Sequence, residues 1–174
     1  MSNCIVCQIA AGSIPSKKVY EDDLILAVLD VNGANPGHCF ILPKNHYPIM
    51  EQVPDAELAK LFQVANKISS AIFENLGAQG TNIFVSNGIP SGQTVAHFTI
   101  NVIPRKDNDG VNLQWAPKQL TEEEMSTVEL KLKDQTRNVA VQKPDRKPRI
   151  PAVKQASFSP EEDEYFSNQM RRIP

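Results

Sequence analysis

GQTVAHFTINVIPR, residues 92–105, decides the reading of this chain. Side chains of an extended strand repeat every two residues, so His97, Thr99 and Asn101 fall on one face and Phe98, Ile100 and Val102 on the other. The apolar face suits a core. The polar face follows a loop containing Gly88, Pro90, Ser91 and Gly92, so the strand is placed to offer polar groups to a ligand held at that loop.

Outward from this strand, TNIFVSN (81–87) reads as its neighbour, and before it residues 55–76 change period. Leu58, Leu61, Phe62, Ala65, Ile68, Ile72 and Leu76 recur at steps of three and four, which predicts a long helix whose apolar residues suit either a core or a contact with a second copy. Pro54 suits its entry, Asp55 and Glu57 its positive N-terminal end, and Gly77 its stop. Earlier still, KVYEDDLILAVLDV (18–31) predicts two strands around Asp22–Asp23, NGANPG (32–37) a loop, and HCFILPKNH (38–46) a third strand ending at Pro43. Residues 4–11 predict a short helix closed by Gly12. Hairpin-compatible strands flanking one long helix predict an α+β domain built on a five-stranded antiparallel sheet.

Downstream of Arg105 the chain becomes polar around its single tryptophan, and residues 121–139 predict a helix with Thr121 and Glu124 as a capping box. Residues 141–154 place three prolines among basic groups and predict a linker or surface arm, and residues 159–172 a further short helix. We therefore expect a domain over residues 1–141 and a Pro- and charge-rich tail over 142–174.

Composition narrows the possibilities. At 174 residues with 41% hydrophobic and 22% charged residues, the chain has the content for one core, burying roughly two thirds of its unfolded surface. A formal net charge of -2 gives no global field toward nucleic acid or anionic membrane, so nucleic acid is not expected as a partner. The basic residues Arg146, Lys147 and Arg149 read as a solvated arm. No apolar run approaches the ~20 residues of a membrane span, and the start of the chain lacks the pattern of a secretory signal; both fit a cytoplasmic protein. Three cysteines, two of them close together, argue against a disulfide framework and for a metal or redox role of the pair.

Cys4 and Cys7 are spaced so that two thiolates can meet one ion from a single helical turn. Read alone, the pair is compatible with metal binding, with a redox couple lacking the usual preceding strand, or with two small buried side chains. Cys39, inside a strand, reads as core.

The wording of the opening stretch resembles the histidine triad (HIT) family, whose motif G-Q-x-V-x-H-x-H-x-H leads into apolar residues and often Pro-Arg. The chain keeps Gly92, Gln93, Val95, His97, Pro104 and Arg105, and carries Thr99 and Asn101 at the second and third histidine positions. CIVCQIAAGSIPSKKVYEDD, LAVLDVNGANPGHCFILPKNH, the long helix and FVSNG follow in family order, so the resemblance spans about residues 4–135.

The resemblance implies a HIT-like fold, a homodimer, and a structural zinc held by Cys4, Cys7, His46 and His97. It implies a purine nucleotide pocket in which Asp30 meets the ribose hydroxyls, with Ile9, Ile14, Val31 and Phe40 around the base. His38 would lie near base and sugar, and Asn87, Gln93, Thr94 and the backbone at Gly92 around the phosphates. In the family the middle histidine attacks the α-phosphorus; here Thr99 stands in its place and Asn101 in that of the third. No catalytic triad is intact, so the expected function is nucleotide binding with impaired nucleotidyl hydrolase or transferase chemistry. An enzyme of altered mechanism and an interaction module with a vestigial pocket are the alternatives.

Overall fold

The computed structural model describes residues 4–136, and its elements are α1 (Ile5–Ala10), β1 (Lys18–Glu21), β2 (Ile25–Leu29), β3 (Cys39–Pro43), α2 (Asp55–Leu76), β4 (Gly80–Phe84), β5 (Ile100–Arg105) and α3 (Glu122–Thr136). The expected linker at 141–154, the helix at 159–172 and the tail boundary at 142 lie outside the described residues. The chain divides into two compact units, residues 1–115 and 116–174, so the division falls ahead of α3.

In the first unit the turn between β1 and β2 is built by Asp22. Its Oδ1 accepts from the N–H groups of Leu24 and Ile25, both at 2.8 Å, and its Oδ2 meets Lys60 Nζ of α2 at 2.8 Å. The five strands pair antiparallel in the order β1-β2-β3-β5-β4. Register then fixes two surfaces. Ala27, Ile41 and Ile100 stand opposite one another and face a core that includes Leu61, Ala65 and Ile68 of α2. Val28, Phe40, Asn101 and Phe84 stand opposite one another on the other surface, where Val6 and Ile9 of α1 pack with Val28 and Phe40.

α2 spans the expected residues and stops at Gly77, whose φ of 57° is the left-handed conformation that glycine adopts without strain. Leu61 is fully buried, so trimming it to alanine would cost about 2–5 kcal/mol. Phe62 and Leu76 of the apolar stripe are outside the core. They sit with Phe73 on a second apolar face of the helix that is open to solvent.

The fifth strand is also shorter than its alternation predicts. It starts at Ile100, because the N–H of Phe98 donates to the carbonyl of Tyr47 at 2.6 Å in place of a strand partner. The two-residue alternation survives regardless: Phe98, Ile100 and Val102 are all in the core.

In the second unit, Glu124 Oε2 accepts from Thr121 N–H at 2.8 Å while Thr121 Oγ1 accepts from Glu124 N–H at 3.3 Å, the expected capping box. Among the described residues no helix is long and apolar enough to cross a membrane.

Candidate functional site

Cys4 at the start of α1 and Cys7 one turn on point their sulfurs toward the segment after β3 and the segment before β5. Cys7 Sγ lies 3.2 Å from His46 Nδ1 and 3.5 Å from His97 Nδ1, and Cys4 Sγ lies 3.6 Å from His97 Nδ1. All four ligand atoms fall within 4.8 Å of one another. Tetrahedral zinc with bonds of about 2.3 Å to sulfur and 2.0 Å to nitrogen sets neighbouring ligand atoms roughly 3.3–3.8 Å apart, so the donor set and its spacing fit that ion.

His97 is further prepared as a ligand. Its Nε2 donates to the Pro43 carbonyl at 3.0 Å, which leaves the Nδ1 lone pair aimed at the thiols. Burial lowers its pKa, against the contrary pull of the Pro43 carbonyl, and so favours the neutral ring that a metal requires. Cys39 is separate from the cluster: it is buried, and burial pushes its thiol up to about 11.

A cavity of about 570 Å³ opens beside the cluster, within the range of small-molecule sites. Ile9, Ile14, Val31 and Phe40 contribute apolar lining, Asp30 lines it just after β2, and Gly92, Gln93, Thr94, Thr99 and Asn101 line it from the loop, the segment before β5 and β5 itself. His97 lines it too, so one residue belongs to both the cavity and the cysteine cluster.

Asn87 and His38 do not line the cavity themselves, although His38 Nδ1 lies 3.6 Å from Asp30 Oδ2 and its ring centroid 5.2 Å from that of Phe40. Asn87 is outside the lining: its Oδ1 accepts from Met50 N–H at 2.9 Å and its Nδ2 donates to the Glu51 carboxylate at 2.8 and 2.9 Å. His38 lies behind the wall, buried, with Nδ1 accepting from Ala34 N–H at 3.1 Å and Nε2 3.1 Å from Asn101 Oδ1. Gln93 lines the cavity, but its amide is engaged in holding the loop. Its Oε1 accepts from Gly88 N–H at 2.8 Å, and its Nε2 donates to the carbonyls of Pro48 at 2.7 Å and Val95 at 2.9 Å.

Other lining residues escape sequence reading. Val28 and Phe84 follow from strand register, which puts them in one row with Phe40 and Asn101, but register needs the pairing to be known. Ser16 had no signal at all. It lines the cavity with its Oγ buried and unpartnered among the described residues, and the bond from Leu29 N–H to the Lys17 carbonyl holds it beside the end of β2 where Asp30 follows.

Thr99 occupies the centre of the row His97, Thr99, Asn101. A threonine hydroxyl is a weak nucleophile unless a base takes its proton. Both nitrogens of the nearest imidazole in sequence, His97, are directed elsewhere, to Pro43 and to the cysteine sulfurs.

Known proteins match this arrangement. An adenylylsulfatase, HINT3 of Arabidopsis thaliana, is 39% identical over 119 residues, which cover 68% of this chain and 59% of that protein. The chain thus spans rather more than half of that relative's length. A crystal structure of a HIT family protein from Bacillus subtilis superposes with a TM-score of 0.72 at 32% identity, covering 80% of this chain and 99% of the other. A zinc-bound histidine triad family protein from Mycobacterium smegmatis superposes with a TM-score of 0.61 at 29% identity, covering 77% of this chain and 97% of that one. The HIT domain profile matches residues 11–108, which hold the whole sheet, α2 and the row ending at Asn101. With sheet, helix and motif strand in common, this chain belongs to the HIT family.

Proposed function

We propose that this protein binds a purine nucleotide in the cavity between α1 and β5 and has lost most of the nucleotidyl transfer chemistry of its family. The observation that carries the reading is Thr99, which lines the cavity at the position of the reacting histidine, while both nitrogens of His97, the nearest imidazole in sequence, are directed to Pro43 and the cysteine sulfurs. Asp30 supports a ribose site. Its Oδ1 accepts from Asn32 N–H at 2.9 Å, its Oδ2 lies 3.6 Å from His38 Nδ1, and a carboxylate that lines the cavity has lone pairs beyond these for a sugar hydroxyl.

Cys4, Cys7, His46 and His97 would hold a zinc ion as a structural clamp. Such an ion supplies folding energy and no open coordination position for chemistry. The chain's own contribution is to hold His97 by Pro43, and through it to fix the start of the segment carrying Thr99.

Phe62, Phe73 and Leu76 of α2, with Ile83 of β4, are 40–46% exposed, an apolar surface suited to a homodimer. A cytoplasmic location accords with the scarcity of cysteines, three in 174 residues.

The test is turnover of adenosine phosphoramidate, adenylylsulfate and dinucleoside polyphosphates by the purified protein. Background rates, unchanged in Thr99→Ala, are expected. Rates typical of an enzyme that vanish in Thr99→Ala would establish instead a hydrolase of altered mechanism.

A further inference from the structure

We propose that Ser16 reads the sugar of the bound ligand: its hydroxyl donates to a ribose hydroxyl beside the carboxylate of Asp30. This rests on the reading of the cavity as a nucleotide pocket and adds a group that makes it choose among sugars.

Two buried side-chain oxygens lack a partner among the described residues, Ser16 Oγ and Glu57 Oε1. Glu57 belongs to the first turn of α2 and is outside the cavity lining, and its other oxygen accepts from Tyr47 OH at 3.1 Å. Ser16 lines the cavity. A hydroxyl shut away from water without a bond destabilises the fold, and a ligand that supplies the missing bond relieves this only when the cavity is filled.

Strand pairing puts this hydroxyl beside Asp30. Lys18 stands opposite Val28, and Leu29 N–H donates to the Lys17 carbonyl at 2.9 Å. One step further along the same antiparallel pairing sets Ser16 across from Asp30, and the two-residue alternation gives both the face of Val28, which also lines the cavity. Directly opposed residues hold their Cβ atoms about 4.5–5.5 Å apart, close enough for two side chains to meet one ribose.

The two groups offer complementary chemistry. The Asp30 carboxylate only accepts, and its Oδ1 already accepts from Asn32 N–H at 2.9 Å. A ribose hydroxyl that donates to the remaining lone pairs leaves its own oxygen in need of a donor. The Ser16 hydroxyl is such a donor, and rotation about one bond aims it without moving the backbone. Ile14 and Pro15, which precede it, also line the cavity and are apolar, so in this stretch the serine is the side chain that tells a hydroxyl from a hydrogen.

Calorimetric titration of the full chain and of Ser16→Ala with AMP, 2′-deoxy-AMP and 3′-deoxy-AMP tests this. Ser16→Ala is expected to weaken AMP roughly three- to tenfold, the range of one neutral hydrogen bond. It should leave unchanged the affinity for the deoxy analogue that lacks the hydroxyl met by Ser16. Without ligand the variant should melt no lower than the native chain, since alanine removes a hydroxyl and breaks no bond. No loss for AMP, or an equal loss for all three ligands, overturns the proposal and leaves the nucleotide pocket standing. A lower Tm of the unliganded variant does the same, because the hydroxyl would then have its partner within the chain. A native chain that binds none of the three ligands removes the pocket reading itself, and this proposal with it.

Discussion

His38 fixes the orientation of Asn101. The ring's Nδ1 accepts from Ala34 N–H at 3.1 Å, so its proton is on Nε2, which donates to Asn101 Oδ1 at 3.1 Å and turns the amide nitrogen away from the ring. Both side chains are buried, so the bond is shielded from exchange with water. His38→Phe removes the donor and leaves a buried carbonyl oxygen unmatched, at a cost of about 1–3 kcal/mol. A lower urea midpoint at unchanged slope is the expected result, and a midpoint equal to that of the native chain contradicts it.

Metal removal should act first on α1. This helix has six residues, too few to hold by propensity, and Val6 is its only buried residue. Cys4 and Cys7 tie it to His46 and His97, while Ile5, Val6 and Ile9 line the cavity from the same turn and a half. A chelator, or Cys7→Ala, is expected to release one zinc per chain, lower Tm and speed amide exchange over residues 5–14. Exchange over α2 should change less. Full protection of residues 5–14 in metal-free protein would show that the sheet holds α1 unaided.

Much of this was legible in the sequence, for identifiable reasons. The period of residues 55–76 gave α2 within its observed bounds, because a strong apolar stripe and a glycine stop act locally. The same stripe could not distinguish Leu61, which meets the sheet, from Phe62 and Leu76, which meet solvent, because that depends on how the helix is rotated against its neighbours. Cys4, Cys7, His46 and His97 meet as the family resemblance implied. Asn87 did not reach the cavity, since nothing local reveals that Glu51 and Met50 compete for its amide. Ser16 was invisible for the opposite reason: a serine in a turn looks the same whether or not its hydroxyl finds a partner.

Acid should expose the clamp at the end of β5. Asp109 Oδ2 lies 2.6 Å from Arg105 Nε, its Oδ1 3.0 Å from Nη2, and Asn35 Nδ2 donates to Oδ2 at 2.9 Å, joining two loops. Arg105 holds the Asp109 carboxyl well below the ordinary carboxylate range, with the Val111 N–H adding to it. A depressed folded pKa means that the unfolded chain takes up the proton first. The stabilisation is therefore complete above the unfolded value of about 3.9 and is lost as pH falls toward the folded value. Asp109→Asn is expected to lower Tm at neutral pH, with the gap to the native chain narrowing below about pH 3. Thermal melts across that range check it; a gap that widens on acidification has the wrong sign for this clamp.

The second apolar face of α2 leads to a prediction about assembly. Phe62, Phe73 and Leu76 are spaced by eleven and three residues, which returns them to one side of the helix, adjoining the core face of Leu61, Ala65 and Ile68. Three large side chains left in water on one helix, next to Ile83 on the edge strand β4, exceed the scattered apolar exposure of an ordinary monomer surface. A second copy related by a two-fold axis would cover this face with the same face of its own. Light scattering on the native chain should give twice the mass of one chain. Phe73→Glu should give the single mass with unchanged far-UV circular dichroism, because Phe73 is outside the core and its replacement leaves the sheet packing intact. A dimer that persists in Phe73→Glu would place the interface elsewhere, and a native monomer would remove it.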